Sequence, residues 1–194
     1  MVGGSAMGER EGSKISERLY QEPRAHALRE RYLTLFGGPE IPVAVESIAE
    51  DYLGLRIEQA YMDCSGMLLP AKRLIRINAA EGPRNEAPLR RFRFTIAHEL
   101  GHWICHALEG ADSAVSYCRP VDLTEAADRS LEREANVFAA ELLMPESAVR
   151  SAWNEIGDVN ALASSFDVSP SAMTWRLYSF GFVEEPPRRE GAQR

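Results

Sequence analysis

RFRFTIAHELGHWICH, residues 91–106, is the segment on which the reading of this 194-residue chain turns. Ile96, Leu100 and Ile104 recur at helical spacing, which predicts an amphipathic helix with those residues toward a core and Thr95 as its N-cap. Residues four apart on a helix lie one above the other, so His98 and His102 aim their imidazoles at one point. Two neutral imidazoles on a rigid face make half of a tetrahedral zinc site. Glu99 follows the first histidine directly, which turns it away from coordination but leaves it close enough to take a proton from a water at the metal. Its expected role is general base. Gly101, between the histidines, permits close approach of a neighbouring backbone.

A catalytic zinc needs a third protein ligand and an open position for water. The metzincin pattern would continue with glycine at 105 and histidine at 108, but the chain has Cys105 and Leu108. His106 lies two turns beyond His98, about 12 Å along a helix axis, too far to share an ion with both histidines; packing beside the site is its expected role. The remaining source is the acidic helix SLEREANVFAAELLMP, residues 130–145, with Glu132, Glu134 and Glu141. Glu132 and Asn136 are four apart and adjoin the apolar face of Leu131, Ala135, Phe138 and Leu142, which suits a ligand and an amide that hydrogen-bonds a ligand. Glu132 is the expected third ligand, and Glu134, on the other flank of the stripe, is the alternative.

Working outward, Ala25, Leu28, Tyr32 and Leu35 predict an N-terminal helix that Gly37-Gly38-Pro39 stops, and a second helix runs from after Pro42 to Gly54. The runs LRIEQAYM, GMLLP and RLIRIN read as three short strands of a small antiparallel sheet. The loop from Glu81 to Pro88 leads toward the histidine helix, and past Pro145 the chain turns helical again. LASSFDVSPSAMTWRLYSFGF has the outline of a helix-turn-helix with its turn at Asp167 to Pro170. The expected organisation is a tail at 1–17, one domain over 18–145, a helical extension over 146–183 packed on it, and a second tail at 184–194. Both tails hold too few apolar side chains to offset the entropy of ordering.

A net charge of −7 argues against broad attraction to nucleic acid or anionic lipid, and 45% apolar residues suffice for a core. No apolar run is long enough to span a bilayer, and the N-terminus carries charges where a secretory signal would be apolar, so a cytoplasmic location is expected. Cys64, Cys105 and Cys118 show no CxxC spacing and are expected to be reduced, structural thiols.

The pairing of RFTIAHELGHWICH with EREANVFAAELLMP, preceded by IPVAVESIAEDYLG and RLIRIN, resembles the ImmA/IrrE family of zinc metallopeptidases over roughly Ile41 to Val183. The resemblance implies an α+β, zincin-like core of gluzincin type, with one Zn²⁺ on His98, His102 and Glu132 and with Glu99 as catalytic base. Glu132 and Asn136 parallel the Glu-x-x-x-Asp of related zinc peptidases, which favours Glu132 over Glu134. It also implies a protein substrate, a DNA-binding repressor of the helix-turn-helix kind, cut to induce a mobile element or a stress response. The chain is expected to lack the sensory domain of the longer radiation-response members.

Other residues carry weaker expectations. The second helix of the C-terminal pair offers Arg176 to DNA and little else, so packing or substrate docking is expected there. Trp175 and Tyr178 share a face and read as core. Cys64 as an inhibitory zinc ligand is disfavoured, and His26 reads as a surface residue. Tyr117, Arg91 and Arg93 are unranked candidates to stabilise an oxyanion. The rival reading from another class is a regulatory, protein-binding or DNA-binding module whose zinc site is structural or inactive.

Overall fold

The computed structural model describes residues 24–81, 86–107, 117–118 and 126–186. The expected tail at 1–17, and the part of the C-terminal tail beyond residue 186, lie outside the described residues. Helix α1 covers residues 24–36, with Ala25 and Leu28 buried, while Leu35 and Phe36 at its end are exposed rather than part of the core. Helix α2, Val45–Ser47, widens into a π-helical segment at Ile48–Tyr52. Gly54, at φ +65°, ends it as expected, because that left-handed turn suits a residue with no Cβ.

Strands β1 (Arg56–Ala60), β2 (Gly66–Leu69) and β3 (Leu74–Asn78) follow, and a two-residue β4 at Tyr117–Cys118 joins their sheet in the order β1-β3-β2-β4. The fold is α+β, as expected, but the sheet is mixed rather than wholly antiparallel. β2 and β3 form an antiparallel hairpin, whereas β1 pairs with β3 in parallel. The reason is the link at residues 61–65, which carries the chain past β3 before β2 begins. Asn78 pins that link, its Nδ2 donating to the Met62 carbonyl at 2.6 Å. Hydrophobic runs report which residues enter a strand, and the connection decides its direction. The hairpin turn leaves Arg73 at φ +48°, where its side chain donates to the carbonyls of Leu53 and Gly54 and lies 5.3 Å from the Trp103 ring.

Helix α3 spans Glu86–His102 and continues as a π-helical segment, Trp103–Ala107. It therefore begins nine residues before Thr95, which is no N-cap. Pro88 falls in the first turn, where its missing N–H costs nothing, and the Thr95 hydroxyl donates back to the Arg91 carbonyl at 3.1 Å within an unbroken helix. Ile96, Ala97 and Leu100 are buried against α4, Ala126–Leu143, which buries Ala135, Phe138, Ala139 and Leu142 in return. The two helices nearly touch at Gly101. A Cβ there would lie 2.9 Å from the Ala135 Cα and 3.0 Å from its carbonyl oxygen. Alanine in place of a helical glycine normally gains about 1 kcal/mol, but forcing a methyl against backbone costs about 1–3 kcal/mol. Gly101→Ala is therefore expected to be net destabilising and to spread α3 from α4, read as a lower Tm together with weaker zinc binding in titration.

The C-terminal helices α5 (Glu146–Ile156), α6 (Val159–Ser165) and α7 (Pro170–Ser179) place Val149, Leu162, Phe166, Val168, Met173 and Leu177 in the same apolar core as α3 and α4. Asp158 and Ser169 cap α6 and α7, accepting from the backbone N–H groups of Ala161 and Ala172. The α6–α7 turn is tied to α3, since Asp167 meets Arg93 at 3.2 Å and Arg90 at 3.6 Å.

Candidate metal centre

The α3–α4 contact brings together the side chains that the sequence places 30 residues apart or more. His98 and His102 come from one turn of α3, and Glu132 reaches them from α4; all three side chains are buried. The two Nε2 atoms are 3.1 Å apart, His102 Nε2 is 3.1 Å from Glu132 Oε1, and His98 Nε2 is 3.3 Å from Glu132 Oε2. Each residue offers one donor atom, all within 4.8 Å of one another. A tetrahedral zinc with bonds of ~2.0–2.1 Å has ligand-to-ligand edges of roughly 3.3–3.4 Å. The contacts of 3.1 Å between the histidines and of 3.1 and 3.3 Å from them to the two oxygens of Glu132 are close to such an edge, so the residues fit the ion.

The surroundings of His102 and Glu132 favour the protonation states a metal needs. Burial holds the His102 imidazole below its ordinary value, and His98 and His106 oppose its charging, against the pull of Glu132. Burial alone would raise the Glu132 carboxyl, but hydrogen bonds with His102 and His98 outweigh it and hold the group well below the usual carboxylate range. A neutral imidazole beside a carboxylate is the ligand form. Asn136, one turn after Glu132, accepts at its Oδ1 from His98 Nδ1, 3.2 Å away. That bond fixes the tautomer and turns the lone pair of Nε2 toward His102 and Glu132.

Glu99 is buried, and its Oε1 lies 2.6 Å from where a Cβ on Gly66 would stand. The first residue of β2 is thus the wall against which this carboxylate rests, and only glycine leaves room for it. A contact between residues 33 apart leaves no periodicity in the sequence to read.

Several candidates are placed elsewhere. Among the described residues Glu134 is not part of the donor group, and neither is His106, whose buried ring lies 5.5 Å from that of His102. Arg93 is committed to Glu46, the Val43 carbonyl and Asp167, so it is a structural anchor rather than an oxyanion partner. Arg91 is exposed on α3 with its guanidinium 3.4 Å from the Ser65 hydroxyl, and the side chain of Tyr117 lies outside the described residues. Cys64 is disulfide-bonded, which corrects the expectation of reduced thiols and removes it as a zinc ligand; Cys105 is free and buried. His26 is exposed, as expected.

Arg176 faces inward. Its guanidinium pairs with both oxygens of Glu141 at 2.6 and 2.5 Å, donates to the Met144 carbonyl and stacks on Phe180. Trp175 and Tyr178, expected in the core, instead form an exposed edge-to-face pair. On a two-sided helix the charge found a buried partner and the aromatics took the outer face.

Residues 56–178 match the Peptidase M78 family, described as the IrrE N-terminal-like domain. The chain belongs to this family. It is similar to the radiation response metalloprotease IrrE of Deinococcus radiodurans, at 30% identity over 140 residues. That match takes in 66% of this chain and 40% of the Deinococcus protein, so the chain spans well under half of that relative's length. The family match includes α3, α4 and the sheet, and with them His98, Glu99, His102, Glu132, Asn136 and Gly66.

Proposed function

We propose that the chain is a zinc-dependent endopeptidase whose ion is held by His98, His102 and Glu132. The observation that carries this reading is the cluster of donor atoms that α3 and α4 bring together, with contacts of 3.1, 3.1 and 3.3 Å among the Nε2 atoms of His98 and His102 and the two carboxylate oxygens of Glu132. Zinc bound there would polarise a peptide carbonyl and lower the pKa of a water molecule toward ~7. The chain's own residues do the rest. Glu99 takes the proton of the attacking water and passes it to the departing amine, a transfer that a buried carboxylate beside β2 is well placed to make. Asn136 keeps His98 oriented, and Gly66 keeps the Glu99 carboxylate from being displaced.

The substrate in this reading is a helix-turn-helix repressor in the cytoplasm, cut once to relieve repression. Family membership and the metalloprotease relative support a protein substrate. Among the described residues no helix is long and apolar enough to cross a membrane. The DNA-binding alternative draws no support from α7, whose one arginine is buried against Glu141. The test is to incubate the zinc-loaded chain with the helix-turn-helix protein encoded nearest to it and follow the fragments by mass spectrometry. A single metal-dependent cut is expected. An intact repressor, or equal digestion of unrelated unfolded proteins, would set the repressor reading aside.

A further inference from the structure

The five residues between β1 and β2 have to pass around the end of β3. β1 lies on one side of β3 and β2 on the other, two strand spacings or about 10 Å apart. The link leaves from Ala60, opposite Asn78, and arrives at Gly66, opposite Ile77. Asn78, the last residue of β3, is the post on which it turns. The Asn78 side chain donates from Nδ2 to the Met62 carbonyl at 2.6 Å, early in the link, and its backbone N–H donates to the Ser65 carbonyl at 2.9 Å, at the link's end. Its Oδ1 accepts from the Ala80 N–H at 3.0 Å, which orients the amide with Nδ2 toward Met62.

The residue after Ser65 is Gly66, whose backbone is the wall of the Glu99 carboxylate. A Cβ at Gly66 would stand 2.6 Å from Glu99 Oε1 and 2.5 Å from Thr95 Cγ2, so strand and side chain are already in contact. A carboxylate that takes a proton from an attacking water must be held in line with it, and a misplacement of about 1 Å can cost on the order of a hundredfold in rate. Contacts therefore run from Asn78 to the link, from the link to Gly66, and from Gly66 to Glu99. Among the described residues Asn78 makes no hydrogen bond to His98, His102 or Glu132.

We propose that Asn78 is a positioning residue of the peptidase: by clamping the link at Met62 and Ser65 it holds Gly66 against Glu99 and keeps the base in line with the water. This rests on the peptidase reading, with Glu99 as the base. It assigns a part in the reaction to a residue at the end of β3, outside both metal-binding helices.

The test places Asn78→Ser in the wild-type and Glu99→Gln backgrounds. Serine keeps a short acceptor for the Ala80 N–H and leaves the backbone bond to Ser65 intact, but it does not reach Met62. Asn78→Asp keeps the shape, sets an oxygen against the Met62 carbonyl, and is the second variant should thermal unfolding show the first to be poorly folded. With the helix-turn-helix protein encoded nearest to the chain as substrate, kcat is expected to fall roughly 10–100-fold while KM and zinc per chain stay unchanged. In Glu99→Gln, where the base is already gone, the same substitution is expected to lower the single-turnover rate less than about threefold. Amide hydrogen exchange over residues 62–66, read on the same samples, is expected to quicken at least about tenfold. A kcat within about threefold of wild type, an equal fall in both backgrounds, or zinc lost in step with the rate overturns the proposal, the last two because they mark general damage or a disturbed metal centre. A wild-type chain that cleaves nothing sinks the peptidase reading instead, and the exchange then decides the clamp alone: faster exchange at 62–66 upholds it, and unchanged exchange overturns it.

Discussion

Glu99→Gln is expected to reduce peptide hydrolysis by roughly 10²–10⁴-fold while leaving zinc in place. The substitution is close to isosteric, and that matters here because Glu99 is buried with β2 against it. A shorter or longer side chain would confound lost proton transfer with a displaced strand. Glutamine fills the same space next to Gly66 and Thr95 but cannot take a proton. The measurement is the single-turnover rate on the repressor substrate, with metal content determined on the same sample. Activity within about tenfold of wild type, with zinc bound, would mean that some other group carries the proton.

The largest effect on stability is expected from Glu141→Met. It leaves the Arg176 guanidinium, 5% exposed, facing an apolar neighbour. Breaking a buried pair from one side costs about 3–5 kcal/mol, and arginine cannot neutralise itself to reduce that cost. For a chain of this size the loss corresponds to a fall in Tm of roughly 10 °C. Arg176→Met is expected to cost less, because the carboxyl left behind can take up a proton. The double substitution should lie nearer wild type than Glu141→Met does, since two apolar side chains of similar volume then replace the pair. Thermal unfolding of the three variants checks the order, and equal Tm values for Glu141→Met and wild type would show the pair to be idle.

The parts of the site that could be read from sequence are those that helical periodicity governs. His98 and His102 share a face because they are four apart, and Glu132 and Asn136 project together for the same reason, so one helix supplies donors and the other a carboxylate with its supporting amide. Other features depend on contacts between distant segments. The parallel pairing of β1 with β3 follows from how residues 61–65 pass the sheet, and the strands' composition is silent on it. The closeness of Gly66 to Glu99, of Gly101 to Ala135 and of Arg176 to Glu141 each joins segments separated by 33 to 35 residues or so. Thr95 misled because a threonine before an apolar run has the signature of a cap, yet its hydroxyl bonds back to Arg91 within a helix already formed. Trp175 and Tyr178 misled because their size suggests a core, while α7 had already filled its inner face with Met173, Arg176 and Leu177. The disulfide of Cys64 could not be expected from three cysteines without a spacing pattern.

His98, His102 and Glu132 carry the central claim, and metal content measures it most directly. Wild-type protein, Glu99→Gln, His98→Ala and Glu132→Ala would be dialysed together against the same trace of zinc and assayed for metal per chain. About one zinc is expected in wild type and in Glu99→Gln, with far less in His98→Ala and Glu132→Ala. Equal zinc in Glu132→Ala and wild type, or none in wild type, would contradict a metal held by two histidines of α3 and the glutamate of α4.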